Sequence, residues 1–104
     1  MDSPNKTFFP QARVLSSQAT VVEGMIEQLW VIENCGICAW PINVHIKSED
    51  GKTVPIPSAQ PNSVIELKIL FEAPREQGRY HYKWRLQTPQ NIAFGEKLYS
   101  LFII

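Results

Sequence analysis

The sequence LWVIENCGICAWP at residues 29–41 begins with a β-prone apolar run and continues into a turn. It ends with Trp40 and Pro41, where the next strand is predicted to begin. Branched and aromatic residues favour a strand that ends near Asn34, and Gly36 allows the chain to turn before Trp40. Two tryptophans, Trp30 and Trp40, therefore stand on either side of one turn. This pattern is typical of consecutive strands at one end of a β-sandwich, and it predicts a tryptophan-rich core.

The length and composition of the chain indicate a single globular domain. There are 104 residues, ten basic and ten acidic side chains, and a hydrophobic fraction of 44%. A chain of this length buries roughly two-thirds of its unfolded surface, and we predict a flexible lead-in at 1–9 followed by one domain at 10–104. Because the formal net charge is zero, no attraction to nucleic acid through bulk charge is expected.

The N-terminal residues carry an early acidic side chain and no long apolar run, which argues against a signal peptide. No stretch approaches the roughly 18 consecutive apolar residues of a membrane span. We therefore expect a cytoplasmic protein that does not insert into a membrane.

Short runs of alternating polar and apolar residues recur along the chain between turn residues. Gly24 interrupts the second run and predicts a bulge or a break, while residues 16–18 predict a turn. No segment has a helical period with caps, so the predicted fold class is all-β, an antiparallel β-sandwich of about seven strands without significant helix. The predicted strands lie at residues 12–15, 20–32, 40–46, 53–56, 64–71, 79–87 and 97–104.

Strand alternation also predicts which side chains face the core. Ile26, Trp30 and Ile32 share one face of the second run, and the opposite face begins and ends with a carboxylate. We assign the first set to the core. Tryptophans in this phase usually pack inside, and an exposed aromatic cage is the less common alternative. Because Trp40 lies beside a loop and precedes a proline, we expect it to be the most exposed of the three tryptophans.

Several separate blocks of the sequence follow a known order. They are Ile26-x3-Trp30-x-Ile32-x-Asn34-x-Gly36-x3-Trp40-Pro41, then Ala73-Pro74, then Gly78-x-Tyr80-x3-Trp84-Arg85-Leu86, then Phe94-Gly95-x3-Tyr99. Over residues 12–104 they resemble the four-tryptophan domain, also called the FW or NBR1-like domain. The resemblance implies an immunoglobulin-like β-sandwich. It also implies that the signature aromatic residues lie mainly in the core: Trp30, Trp40, Trp84 and, where the family has a fourth tryptophan, Tyr99.

The resemblance further implies a function without catalysis or a cofactor. Domains of this kind occur in NBR1-type selective autophagy receptors, where they act as protein-interaction modules that engage cargo. We therefore expect a module that docks cargo or a partner protein for such a receptor. The alternative is a structural or dimerising spacer in a multidomain protein, with a bacterial source left open.

The predicted sixth strand carries a basic stripe. Alternation places every second side chain on one face, about 7 Å apart along the strand. This stripe is the candidate partner-binding site, suited to an acidic segment, and it consists of Arg79, His81, Lys83 and Arg85. The other interpretation is a solvated face balanced by carboxylates on neighbouring strands, namely Glu27, Glu33 and Glu66.

The remaining candidate for chemistry is the CxxC motif formed by Cys35 and Cys38. Redox motifs of this type open a helix that activates the first thiol, whereas this one joins two strands. Only His45 and His81 remain as further zinc ligands, and their spacing matches no compact zinc motif. We therefore predict no catalytic, cofactor-binding or metal site, with redox or metal binding as a minor alternative.

Overall fold

The computed structural model describes residues 9–104, and the ordered elements are seven β-strands. No helix occurs within this range. Apart from Phe9, the lead-in predicted at 1–9 lies outside the described residues. The strands are β1 (Arg13–Val22), β2 (Met25–Glu33), β3 (His45–Ser48), β4 (Thr53–Pro55), β5 (Val64–Glu72), β6 (Arg79–Gln87) and β7 (Ala93–Ile103).

From residue 9 to residue 104, the chain has no helix that could span a membrane.

The strands form two sheets with the orders β1-β2-β5 and β4-β3-β6-β7. Every pairing is antiparallel. Strand β4 adds to β3 at the sheet edge, as the extra strands do in variable-type immunoglobulin domains. The prediction of an all-β antiparallel sandwich of about seven strands is confirmed.

The core lies between the two sheets and is filled by the inward side chains of alternating strand positions. Ile26, Trp30 and Ile32 of β2 are completely buried, which confirms the face predicted for that strand. Trp30 meets Trp84 of β6 edge-on across the sandwich, with ring centroids 5.9 Å apart and planes inclined at 69°. Edge-to-face pairs of this kind stabilise a core beyond the area that they bury.

The first strand is longer than predicted. It runs through residues 16–18, where we expected a turn, because its backbone pairs with β2 from Arg13 to Val22 with a bulge beside Leu15. As an edge strand it tolerates polar side chains that face solvent. The break expected at Gly24 is a two-residue hairpin turn, in which Glu23 and Gly24 have φ angles of 48° and 79°. Two positive φ angles define the tight turn that suits twisted strands.

Two other strand boundaries also differ from the prediction. Trp40 was expected to open the third strand, but β3 begins only at His45 because the Trp40 amide donates 2.9 Å to the Ala59 carbonyl in a loop. Strand β7 was expected from Lys97, but it begins at Ala93 and contains a bulge. In that bulge, the β7 segment from Phe94 to Leu98 faces only three residues of β6 (84–86).

Candidate protein-interaction surface

The basic stripe of β6 lies on the outer face of the four-stranded sheet. Arg79 and His81 are exposed, while Lys83 and Arg85 are half-buried. Strand pairing places Lys47 of β3 directly beside Arg85. We define the basic face by six outward side chains of this sheet, namely Lys47, Arg79, His81, Lys83, Arg85 and Lys97.

The carboxylates expected to balance the stripe lie on the other sheet. Glu27 and Glu33 belong to β2 and Glu66 belongs to β5, so none pairs across strands with β6. Within residues 9–104 the ion pairs are Arg13 with Glu33 and Lys68 with Glu27, and both pairs lie on the three-stranded sheet. The prediction that these glutamates neutralise the stripe is therefore wrong.

Glu96 of β7 is held toward β1. Its Oε1 accepts a 2.7 Å hydrogen bond from the Val14 amide, and its own amide donates 3.0 Å to the Ala12 carbonyl. This arrangement ties β7 to β1 at the open side of the sandwich. It also uses the Glu96 carboxylate in a backbone contact, and no ion pair joins it to a residue in the described part of the chain.

Arg85 makes a structural contact and also contributes a charge to the basic face. Its Nη2 donates 3.0 Å to the Gly95 carbonyl in the β7 bulge. Gly95 has a φ of +72°, and an added Cβ would lie 2.6 Å from the Ala12 methyl, so only glycine fits there. The guanidinium is therefore fixed above the bulge, and it presents a pre-positioned charge at the centre of the basic face.

Tyr99 does not lie in the core, which corrects the position that the family resemblance implied. The β7 bulge sets the inward phase to Leu98, Ser100 and Phe102, so Tyr99 points to the outer face. There its ring stacks on the His81 imidazole, with centroids 5.0 Å apart and planes inclined at 18°. Tyr99 thus adds a flat aromatic surface to the basic face.

The three tryptophans are buried, with exposed fractions of 0% for Trp30, 2% for Trp40 and 3% for Trp84. The expectation that Trp40 is the most exposed of the three is wrong, because it is buried as completely as the others. Its indole Nε1 donates 2.9 Å to the Gln11 carbonyl, and its ring packs on Phe94 at 5.7 Å. The N-terminal segment that precedes β1 covers this side chain, a contact that local sequence does not indicate.

The basic face contains a shallow groove of about 290 Å³ beside β3 and β6. Its charged walls are Lys47, Lys83, Arg85 and Lys97, with Glu49 at one margin. Four cations and one carboxylate give the groove a positive potential, which favours an anionic segment of a partner. Sequence reasoning missed Lys47 and Lys97, because alternation shows that a side chain points outward but not which strands lie together.

The CxxC motif lies in a loop and not at the start of a helix. Cys35 is exposed, Cys38 is half-buried, and neither is in a disulfide. The loop follows β2 and is folded over Asn34, whose Nδ2 donates 2.9 Å to the Cys38 carbonyl. In the described range 9–104, no group of three or more His, Cys, Asp or Glu side chains is placed to hold a metal ion.

The turn between β3 and β4 contains a perturbed carboxylate, and Asp-Gly in this turn was predicted as a hairpin signal. The Ser48 hydroxyl donates to Asp50, and this hydrogen bond lowers the pKa of Asp50 below its ordinary value. Because the folded-state pKa is depressed, the bond stabilises the fold above the unfolded-state pKa of about 4. That contribution disappears as the pH falls through the folded-state pKa.

We expect Ser48→Ala to raise the pKa of Asp50 toward its ordinary value, because the hydroxyl donor is removed. An NMR titration of the side-chain carboxyl carbon measures this directly. The matched control is Ser63→Ala, since the Ser63 hydroxyl donates 2.7 Å to the Gln60 carbonyl in a different turn. An Asp50 pKa that stays low in Ser48→Ala would contradict the assignment of the shift to this bond.

Taken with the sheet orders, these features define an immunoglobulin-like β-sandwich domain with one basic sheet face. The family model described as "Ig-like domain from next to BRCA1 gene" matches residues 14–102, and the chain belongs to this family. The NBR1-like resemblance of the sequence blocks is therefore confirmed at the level of the family. Membership indicates a protein-interaction module.

One curated relative is Protein ILRUN of Danio rerio, which is 19% identical over 110 residues. The alignment spans this whole chain but only 39% of that relative.

Proposed function

We propose that this domain is a non-enzymatic interaction module that docks an acidic segment of a partner protein on the basic face. The observation that carries the proposal is the one-sided charge distribution. Five lysines and arginines lie on the four-stranded sheet, whereas Arg13 and Lys68 of the three-stranded sheet each have a carboxylate partner within residues 9–104. Complementary charge accelerates encounter and sets the orientation of docking.

Several contacts have to act together at such a surface. An exposed ion pair contributes only about 0.2–1 kcal/mol, so one lysine alone would not hold a partner. The groove brings four cations within one concavity, and Arg85 is already fixed by its bond to Gly95. The stacked pair of His81 and Tyr99 adds an apolar surface next to these charges. The resulting affinity falls as salt concentration rises.

The biological role that we propose is docking of cargo or a partner for a selective autophagy receptor. Under this proposal the domain acts in the cytoplasm and its receptor is directed to the autophagosome or vacuole. The support is the order of the sequence blocks together with membership of the family. Because the chain spans 39% of its curated relative, the partners of a complete protein are part of the proposal.

We expect the double substitution Lys47→Gln/Lys83→Gln to weaken capture of an acidic partner by roughly tenfold or more, because two cations of the groove are lost. The measurement is a pull-down from cell extract with mass spectrometry, followed by titration of the captured protein at two salt concentrations. The wild-type affinity should fall steeply with salt, and the variant should show a weaker salt dependence.

The matched control is Lys68→Gln/Arg75→Gln, which removes the same charge from exposed positions outside the basic face. This control should capture the partner as the wild type does. Equal loss in both double variants would mean that net charge, rather than the basic face, governs capture. Equal retention in both would move the site to the loops or an edge strand.

A dimerising spacer is the second candidate, and exposed apolar side chains support it. Val21 of β1 and both Leu101 and Ile103 of β7 are about half exposed or more, and all three line one depression between these edge strands. Light scattering distinguishes the two functions. A stable dimer that captures no other protein supports the spacer, whereas a monomer that captures an acidic protein supports the docking module.

A further inference from the structure

Strands β1 and β7 run beside each other along one open side of the sandwich. Near their beginnings the Glu96 amide donates 3.0 Å to the Ala12 carbonyl, and further along the Ser17 hydroxyl donates 3.1 Å to the Tyr99 carbonyl. Both contacts advance in the same direction along the chain, so the two strands are parallel. Beyond Ser17 and Tyr99, no hydrogen bond joins β1 to β7 in the described part of the chain. A seam therefore lies open between the last residues of these strands.

The hydrogen-bond pattern of β7 places main-chain groups in this seam. Ile104 and Gly78 exchange two hydrogen bonds, of 2.9 and 3.1 Å, and antiparallel pairs alternate between bonded and unbonded positions. Along the register from Ile104, Leu101 and Ile103 are therefore at unbonded positions, and their N–H and C=O groups point away from β6. The Tyr99 carbonyl has the same phase, and it accepts from side chains of β1 and β2. Within residues 9–104, no residue bonds to these groups of Leu101 and Ile103, which form a free strand edge.

The side chains around this edge are apolar. Val21 pairs with Ile26, which is completely buried in the core, yet Val21 is 47% exposed because the seam lies open beside it. Leu101 and Ile103 are 62% and 68% exposed on the outer face of β7. With Ala19 of β1, these side chains line the depression of about 610 Å³ between the two strands. A strand in the seam therefore pairs its main chain and also buries apolar surface.

Charge distinguishes a partner segment from a second copy as the occupant of this edge. Arg79 and His81 of β6 also line the depression, and no carboxylate of the described residues does. A second copy would bring the same two basic side chains to the seam, whereas an acidic segment supplies the opposite charge. A second copy would also bring its own β1 beside its β7, and a single extended segment has no such neighbour. An extended segment with carboxylates is therefore favoured.

We propose that the free edge of β7 binds an extended segment of a partner protein in which apolar and acidic residues alternate. Its main chain bonds to Leu101 and Ile103, and its apolar side chains point inward against Val21. Its carboxylates point outward, on the side of the sheet where Arg79 and His81 lie. The depression shares no lining residue with the groove of the basic face, so this edge is a second docking surface that does not depend on the groove.

The test uses the full chain, isotope-labelled on nitrogen, and a capped heptapeptide in which valines alternate with glutamates. Binding should slow the exchange of the Leu101 and Ile103 amides with water, as measured by NMR. Exchange of the Phe102 amide should stay unchanged, because its position already bonds to β6. This alternation along β7 is the signature of an added strand. Unchanged exchange at Leu101 and Ile103 with millimolar peptide overturns the inference.

Peptides with methylated main-chain nitrogens test the strand pairing directly. Methylation of every valine nitrogen and methylation of every glutamate nitrogen block opposite edges of the same peptide. One of these two peptides should bind roughly tenfold or more weakly than the other, the effect of losing two hydrogen bonds. The weaker one is the glutamate-methylated peptide if the segment adds antiparallel, and the valine-methylated peptide if it adds parallel. Equal affinity of the two methylated peptides overturns the inference.

Val21→Glu provides the protein variant, and Val64→Glu is its matched control. Val21→Glu removes one apolar wall of the depression and repels the peptide glutamates, so binding should weaken at least about fivefold. Val64 is 51% exposed on β5 and lies outside the depression, so Val64→Glu should bind the peptide as the wild type does. Because both valines are about half exposed, both variants should fold. Equal affinity of the two variants for the peptide overturns the inference.

Further results separate this edge from the other surfaces. A peptide with lysines in place of the glutamates should bind more weakly, and equal binding overturns the choice of an acidic segment. Lys47→Gln/Lys83→Gln should keep the slowed exchange at Leu101 and Ile103, and its loss would assign the peptide to the groove instead. Slowed exchange that depends on protein concentration without peptide would assign a second copy to the edge. Each of these contrary results overturns the inference and leaves docking on the basic face to its own test.

Discussion

Trp30→Ala is expected to lower the free energy of unfolding by about 4 kcal/mol, since truncation of a buried tryptophan leaves a large cavity. Trp30 is completely buried, packs edge-on against Trp84, and donates its indole N–H to the Tyr99 carbonyl. It thereby connects the three-stranded sheet to β7 of the other sheet. Domains of this size have about 5–15 kcal/mol of stability, so the substitution should remove a large fraction of the total.

Urea denaturation followed by circular dichroism measures this loss of unfolding free energy. An unchanged dependence of that free energy on urea concentration checks that the transition stays two-state. Trp30→Phe keeps most of the ring and loses the indole donor, so it should lose less stability than Trp30→Ala. Ile37→Ala is the surface control, because Ile37 is 68% exposed and its truncation should stay within about 0.5 kcal/mol. A loss below about 1.5 kcal/mol for Trp30→Ala would show that the two sheets do not depend on this side chain.

Asn34→Ala is the second substitution with a large expected effect, about 3 kcal/mol of stability. The Asn34 side chain is completely buried at the end of β2. Its Nδ2 donates 2.9 Å to each of the Cys38 and Ala59 carbonyls, and its Oδ1 accepts 3.0 Å from the Gly36 amide. Alanine would leave three backbone groups without this partner, and buried polar groups without partners are destabilising.

Chemical denaturation and amide exchange at Gly36 test the role of Asn34, and exchange there should become faster in the variant. Asn34→Asp should destabilise at least as much, because it replaces the donor with a charged oxygen that faces two carbonyls. Gln60→Ala removes an exposed amide side chain from a neighbouring loop and should have little effect. A loss below 1 kcal/mol for Asn34→Ala would mean that other contacts hold the loop.

The alternation of polar and apolar residues was sufficient to predict which side chains are buried in strands that have one buried face. In β2 and β6, strict alternation predicted that Ile26, Trp30 and Trp84 face inward, and all three are buried. The same alternation put the basic stripe on one surface. Alternation could not predict that Tyr99 lies on the outer face or that Trp40 is buried. The bulge at Gly95 shifts the phase of β7, and the segment around Gln11 covers Trp40 from a distant part of the chain.

The sequence by itself determined the class of fold, the core phase of the main strands and the family, because these depend on side-chain period and on residue types at close spacing. The tertiary structure alone decided which strands are neighbours. It placed Lys47 and Lys97 with the stripe and the glutamates of β2 and β5 on the opposite sheet. Strand pairing is set by contacts between distant residues, and a local pattern carries no information about which distant strand completes a face.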